Sequence, residues 1–241
     1  PIEIWPLLHA AGATKMSFHS FGIKYASGHK NHFGQWDFRG ASNTKQLREL
    51  LEPHMIVMDR DEIGGYREKV MRVVSLDLPV DEREKRINLD DIVSEASPQG
   101  FEGLVIVFVH HKAVVAILEE YLCFHAPVKI VGGGSATKTL KAVDTFQSGE
   151  TNLIICNIQA ASEGVTLSRA DRIVMVEASW VPGTIHQASD RGIIRDSTME
   201  PLKVDILTIH NSIDEYVLKR ALEKSVVIDK VMPKHITTRS L

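Results

Sequence analysis

Cysteine is nearly absent from this sequence: Cys123 and Cys156 are the only two among 241 residues, and neither has a CxxC or His-paired spacing. That argues against a disulfide framework or a zinc site and fits a reducing intracellular setting. Long apolar runs are missing too. The longest, such as 104–109 (LVIVFV), are strand-sized and far below the roughly 18 residues of a membrane span. No basic segment followed by an apolar one opens the chain, so neither a membrane partner nor an export signal is expected. Charge of one sign is also lacking. With 28 Lys and Arg against 31 Asp and Glu, the net charge of −3 denies the chain the broad positive field of a non-specific nucleic-acid coat. Glycine and proline are sparse at 16 and 9, while hydrophobic residues supply 44% and charged residues 24%. Collagen-like, low-complexity and largely disordered classes are excluded, and the length allows one large domain or one and a half. An initiator methionine is missing as well. The chain opens on Pro1 inside a fully formed Pro-Ile-Glu-Ile-Trp segment, and we expect further sequence upstream.

What is present is organised in two styles. The first 57 residues carry helix-like spacing at Ile4, Leu7, Leu8 and Ala11, then an aromatic and Gly-rich stretch over 18–40, then helical spacing again at Leu47, Leu50, Leu51 and Ile56. After a charged turn with Gly64-Gly65, the alternation of Val70, Arg72, Val74 and Leu76 predicts a strand. Residues 81–100 are polar and read as a surface helix or connector. Beyond Gly100 the pattern becomes short apolar runs at 104–109, 128–131, 153–156, 173–177 and 204–209, separated by helix-length connectors. Runs apolar on both faces predict an α/β fold with a parallel sheet covered on both sides, whose ligands bind beyond the carboxyl ends of the strands. A final helix is predicted to start with Ser212 and Glu215 as a capping box.

The candidate functional residues therefore follow the strands. Gly132-Gly133-Gly134-Ser135 reads either as a phosphate cradle or as a tight strand–helix turn, and it matches neither GxxxxGK[ST] nor GxGxxG. His110-His111 has no carboxylate or third His at ligand spacing, so no metal site is expected there. Gln187, Arg191 and Arg195 at i, i+4 and i+8 would line one helical face. They read either as a solvated charged face or as donors to a transferring phosphoryl group, for which permanently charged planar guanidiniums are suited. Trp36 and Trp180 are read as buried packing residues rather than base-stacking ones.

Taken together, these segments resemble the C-terminal RecA-like lobe of the SNF2 group of superfamily 2 helicases. Residues 104–112 (LVIVFVHHK) resemble motif IV, 157–167 (NIQAASEGVTL) motif V, and 180–191 (WVPGTIHQASDR) the approach to motif VI. Residues 33–51 (FGQWDFRGASNTKQLRELL) resemble the inter-lobe segment of the HARP-type annealing-helicase subgroup. The resemblance implies three parts: 1–79 as the end of the first motor lobe with a mainly helical inter-lobe segment, 80–100 as a connector, and 101–241 as the RecA-like lobe. It also implies an ATP-dependent translocase that remodels or anneals duplex or forked DNA, acting in replication-fork repair.

Site roles follow from the same resemblance. Gln187, Gly164 and Arg191 are expected to bind nucleotide, with Arg191 and Arg195 as catalytic arginines. His110, His111, Lys112, Gly134, Ser135 and Thr166 are expected along the DNA, mostly at phosphates. The cofactors implied are ATP and Mg²⁺, held mainly by Walker A and DExH motifs of an upstream RecA-like lobe, the second expected partner. Neither motif occurs here, since Asp59-Arg60-Asp61-Glu62 reads as a turn, and these 241 residues alone are expected not to turn over ATP. One departure stands out. Ile194 takes the place of the family's second arginine and Arg195 follows one residue late, a rotation of about 100° if the helix continues. The alternative reading is therefore a catalytically degenerate lobe that binds DNA or protein. The expected location is DNA-associated: cytoplasmic in a bacterium or phage, nuclear in a eukaryote.

Overall fold

The computed structural model describes residues 1–55, 63–76, 103–161, 165–177 and 179–231. The chain divides into two units, Pro1–Ile63 with Leu222–Leu241, and Gly64–Ala221. The expected connector 80–100, the 59–62 turn and Gly164 lie outside the described residues.

In the first unit a 3-10 turn runs into helix α1 (Trp5–Ala10), with Pro6 in the first turn, where a missing N–H is tolerated. Ser17 caps α2 (Phe18–Tyr25) by accepting from the Ser20 amide at 3.2 Å. Strands β1 (His29–Lys30) and β2 (Trp36–Asp37) form a short antiparallel hairpin, and α3 (Thr44–Leu51) follows it. Leu8, Phe21, Tyr25, Leu47 and Leu51 form the core of this unit. Gly22 and Gly28 lie under the Phe38 ring, which stands 2.4 and 2.6 Å from where a Cβ would be, so neither position accepts a side chain. The helical character expected of this region holds for α1 and α3, although Leu7 is exposed rather than packed.

The second unit is built on six parallel strands in the order β3-β8-β7-β4-β6-β5. They are β3 (Lys69–Leu76), β4 (Val105–Val109), β5 (Val128–Ile130), β6 (Leu153–Asn157), β7 (Arg172–Met175) and β8 (Leu202–Ile209). All five residues of β4 and of β6 are buried, as the apolar runs at 104–109 and 153–156 predict, and the polar Asn157 that ends β6 is buried with them. Helices cover both faces: α4 (Lys112–Tyr121), α5 (Ala136–Ser148), α6 (Pro182–Ser189) and α7 (Ile213–Val231). Ile106, Phe108 and Ile154 pack on one face with Phe146 of α5, Ile185 of α6 and Leu218 of α7. Val105, Val107 and Ile155 point the other way, toward Val115 and Leu118 of α4. Cys156 is fully buried, and burial raises its thiol far above the ordinary range, which leaves it unreactive.

Three expectations change. The strand at 69–76 lies outside the expected 101–241 lobe, yet it pairs along its whole length with β8 and so belongs to that lobe's sheet. The α7 helix is shared, since Leu218 packs in the sheet's core and Val231 in the core of the first unit. Its capping box is also shifted: Ser212 Oγ accepts from the Asp214 amide, and the Glu215 carboxylate accepts from the Asn211 amide.

What holds β3 on the sheet is partly ionic. Asp205, 1% exposed on β8, faces Arg72 across the ladder and accepts from its guanidinium, while Arg172 of β7 stands 3.5 Å away. Removing one partner of a buried pair leaves the other charge without compensation, a cost of about 3–5 kcal/mol. Arg72→Ala leaves the buried Asp205 carboxylate without its direct partner and with Arg172 3.5 Å away, and is therefore expected to lower unfolding stability by about 3 kcal/mol. Asp205→Ala costs less, about 1 kcal/mol, because solvent already reaches the Arg72 side chain it leaves behind. Urea midpoints of the two variants check the order.

Candidate functional site

Because every strand of the sheet runs the same way, all the carboxyl ends lie along one edge. The connection from β4 leads through α4 on one face toward β5, whereas that from β7 leads through α6 on the other face toward β8. These adjacent strands leave in opposite directions, so the topological switch point, where ligands bind in open α/β sheets, lies between them. There the Glu177 carboxylate accepts from the amides of His110 and His111 at 2.7 and 2.8 Å, and His111 Nδ1 lies 2.6 Å from its other oxygen. Burial pushes the Glu177 carboxyl up, but the His111 amide, the His111 ring and the His110 amide outweigh it and hold the group below the ordinary range. On the other side of β4, buried Asn157 donates to the His110 carbonyl at 2.7 Å and accepts from the amides of Gln159 and Ala160. Three strand ends are thus laced together. His110 Nδ1 is buried with no hydrogen-bond partner among the described residues.

The residues expected along DNA divide into two groups. The amides of His110 and His111 are occupied by Glu177 and offer no open anion cradle. Lys112 instead is exposed, with its ammonium 2.8 Å from the Gly132 carbonyl, which sets a positive charge beside the Gly-rich turn. That turn has Gly133 at φ +85° and Ser135 as the N-cap of α5, so the tight-turn reading describes its backbone. Gly134 and Ser135 are exposed beside it, and Thr166, also exposed, accepts at its carbonyl from Gln147 at 3.4 Å.

The arginines are arranged differently from a continuous helical face. Helix α6 ends at Ser189, a 3-10 turn carries Asp190–Gly192, and Ile193 is extended. The turn is closely packed at Gly192, where a Cβ would meet the Leu202 side chain at 2.9 Å. Gln187 is exposed on α6. Arg191 folds inward, donating through Nη1 to the Val165 carbonyl at 3.1 Å, while its own carbonyl accepts from the Leu167 amide at 2.9 Å. The segments that resemble motif V and motif VI are thereby joined on both sides of Thr166. Arg195 lies beyond the helix, exposed, with its guanidinium 5.8 Å from the Tyr66 ring centroid.

Some supporting residues carried no sequence signal. The Arg67 guanidinium, 1% exposed, donates to the carbonyls of Glu200 and Ala170, and the Arg67 amide donates to Ile194 O. Lys69 reaches Ser189 and Asp190 at 2.9 and 2.8 Å, anchoring the end of α6. These partners are more than a hundred residues apart, and no local spacing announces them. The two tryptophans also differ from expectation. Trp36 and Trp180 are 40% and 44% exposed, and Trp180 meets Tyr216 edge-on at 5.9 Å. Among the described residues no group of three His, Cys, Asp or Glu could hold a metal ion, and no helix is long and apolar enough to cross a membrane.

A family model described as the helicase conserved C-terminal domain matches residues 70–193. Over 95% of its length the chain is 26% identical to the SWI/SNF-related matrix-associated actin-dependent regulator of chromatin subfamily A-like protein 1 of Xenopus laevis. Over 71% it is 28% identical to the DNA annealing helicase and endonuclease ZRANB3 of Homo sapiens. The chain spans only 28% and 20% of those two relatives. Among solved structures, the C-terminal part of the Fun30 ATPase domain superposes with a TM-score of 0.51, over 64% of this chain and 56% of that one. At 18% identity that likeness speaks for the fold, a RecA-like parallel sheet with flanking helices.

The Glu177 tie makes a pH-dependent prediction. Glu177→Ala leaves two amides without their acceptor and is expected to cost about 1.5–3 kcal/mol in urea unfolding. The folded carboxyl titrates below its ordinary value of 4.5, so its stabilisation is complete above that pH and is lost as pH falls through the lowered value. The gap between wild type and variant should be constant above about pH 5.5 and shrink in acid. A gap that widens on acidification contradicts this assignment.

Proposed function

The chain belongs to the helicase conserved C-terminal domain family, as a C-terminal lobe of the SNF2 type, and on that premise we propose that it is half of an ATP-dependent translocase that remodels or anneals duplex or forked DNA. The names of its relatives, a regulator of chromatin and a DNA annealing helicase, support DNA as the substrate. ATP would sit between this lobe and an upstream RecA-like lobe, with Gln187 and Arg191 facing it, and Mg²⁺ would come with the phosphates and the carboxylates of that other lobe. The protein would work where DNA is, in the nucleus of a eukaryotic source.

The observation that carries this reading is the double hydrogen bond between Arg191 and the 165–167 segment. A nucleotide that moves Arg191 also moves the backbone on either side of Thr166, so a change sensed at motif VI reaches the strand-facing segment without an intermediary. DNA contact would be chiefly to phosphate, through Lys112, Ser135 and Thr166 with the Gly134 turn. The amides of His110 and His111, already bound to Glu177, would orient the edge rather than grip the strand. Their rings remain the candidates for contact at that position.

Arg195 is the proposed substitute for the arginine missing at Ile194. Since the helix has ended before it, the 100° rotation that would misdirect it on a continuous helix does not apply. A second reading, a lobe that binds but does not catalyse, is favoured by Ile194 itself and by the placement of Arg195 over Tyr66.

The test is ATP hydrolysis by the protein joined to its upstream lobe, with and without forked DNA. DNA-stimulated turnover is expected, with Arg195→Ala slowing it on the order of 10³-fold, and no turnover from the 241 residues alone. Absent turnover that Ile194→Arg restores would favour the second reading.

A further inference from the structure

The hairpin of the first unit belongs to neither motor motif, and its surface is unusual. Phe33 at its tip is 76% exposed and lies against His32, with ring centroids 3.8 Å apart. Trp36 stacks on Phe38 at 5.7 Å and 7°, and the edge of His19 meets both rings at 5.5 and 5.6 Å. Phe18, 40% exposed, extends the row at 5.5 Å from Phe38. The row is held firmly. Asn31 Oδ1 accepts from the amides of Phe33 and Gln35 at 2.9 and 3.0 Å, Gly34 makes the turn at φ +76°, and Gly22 and Gly28 let Phe38 lie flat on the backbone. Rigid, exposed rings are prepared to accept flat ligands, because little side-chain freedom is left to lose.

Charge selects the ligand. In a chain of net charge −3, residues 15–40 hold Lys15, Lys24, Lys30 and Arg39 against a single acid, Asp37. Asp37 is itself engaged by the Arg39 guanidinium at 2.5–3.0 Å. Lys30 Nζ stands 5.7 Å from the Trp36 ring centroid, which puts a cation beside the stacking surface. An apolar protein partner would not call for these cations, and duplex DNA shows no base faces except at its ends. Rings for bases with cations for phosphates are the recognition chemistry of a single strand.

We propose that the hairpin bearing Phe33 and Trp36, with Lys24 and Lys30 beside it, is a binding site for single-stranded DNA whose unpaired bases stack on the exposed rings. In the translocase reading it would hold the unpaired arm of a fork, but the site stands on its own chemistry and is tested without ATP.

The experiment measures binding of the 241-residue chain to a fluorescein-labelled 20-nucleotide dT strand by anisotropy, beside a duplex of equal length and the matching rU strand. Tighter binding to dT than to duplex is expected. Phe33→Ala and Trp36→Ala should each weaken it roughly 10-fold, and Lys30→Gln should reduce the slope of log K against log salt by about 0.7. Phe33 touches solvent over most of its surface, so Phe33→Ala decides the matter if Trp36→Ala fails to fold. Unchanged dT binding in Phe33→Ala overturns the proposal. So does tighter binding to rU, or loss of dT binding when the upstream lobe is attached, which would assign the patch to an interface within the protein. Fork-stimulated ATP hydrolysis by the protein joined to its upstream lobe is a separate readout: if dT binding is unchanged in these variants the hairpin site falls, while DNA-stimulated turnover still leaves the motor reading standing.

Discussion

The carboxyl edge of the sheet depends on the Glu177 carboxylate. Parallel strands buried on both faces leave chemistry nowhere to go but their ends, and the ends of such strands expose backbone amides with no partner in the next strand. Glu177 takes two of those amides at the switch point, and Asn157 takes the His110 carbonyl from the other side. The loops that carry the candidate nucleotide and DNA residues leave from these fixed points. Arg67 performs the same service from the interior, where it satisfies the carbonyls of Glu200 and Ala170.

Much of the sheet could be read from the sequence because it rests on composition within a few residues. The run of β4 and residues 153–156 of β6 are apolar throughout and buried throughout, and the alternation of Val70, Arg72, Val74 and Leu76 does form a strand, with Met71 packed toward one core cluster and Val74 and Leu76 toward the other. Its membership in the sheet was not legible, because the partner that pairs with Arg72 lies 133 residues away. The same distance hides Arg67 and Lys69. The helical alignment of Gln187, Arg191 and Arg195 does not form because the helix ends at Ser189 and the chain passes through a 3-10 turn to an extended Ile193, with Gly192 lying close against Leu202, a placement that no local spacing announces. The tryptophans depart from expectation for a different reason. Large aromatic residues default to the interior, and only the three-dimensional arrangement shows that Trp36 is stacked against Phe38 yet still open to solvent.

These parts make a coherent division of labour. The strand ends of the sheet are tied by side chains, the segment around Arg191 joins the two segments that resemble motifs V and VI, and the hairpin of the first unit presents aromatic and cationic groups that lie outside those segments. The departure at Ile194 sits in the one stretch where the helix has already ended, so the cost of shifting an arginine by one residue is smaller there than on a regular helix.

The central claim is that nucleotide reaches DNA through the bonds joining Arg191 to residues 165–167. Hydrogen exchange at the Leu167 amide, in the protein joined to its upstream lobe, measures one of those bonds directly. The account predicts that a bound, non-hydrolysable ATP analogue changes the exchange rate of that amide in the absence of DNA, and that DNA changes it again. A rate unmoved by nucleotide at saturating concentration would contradict it.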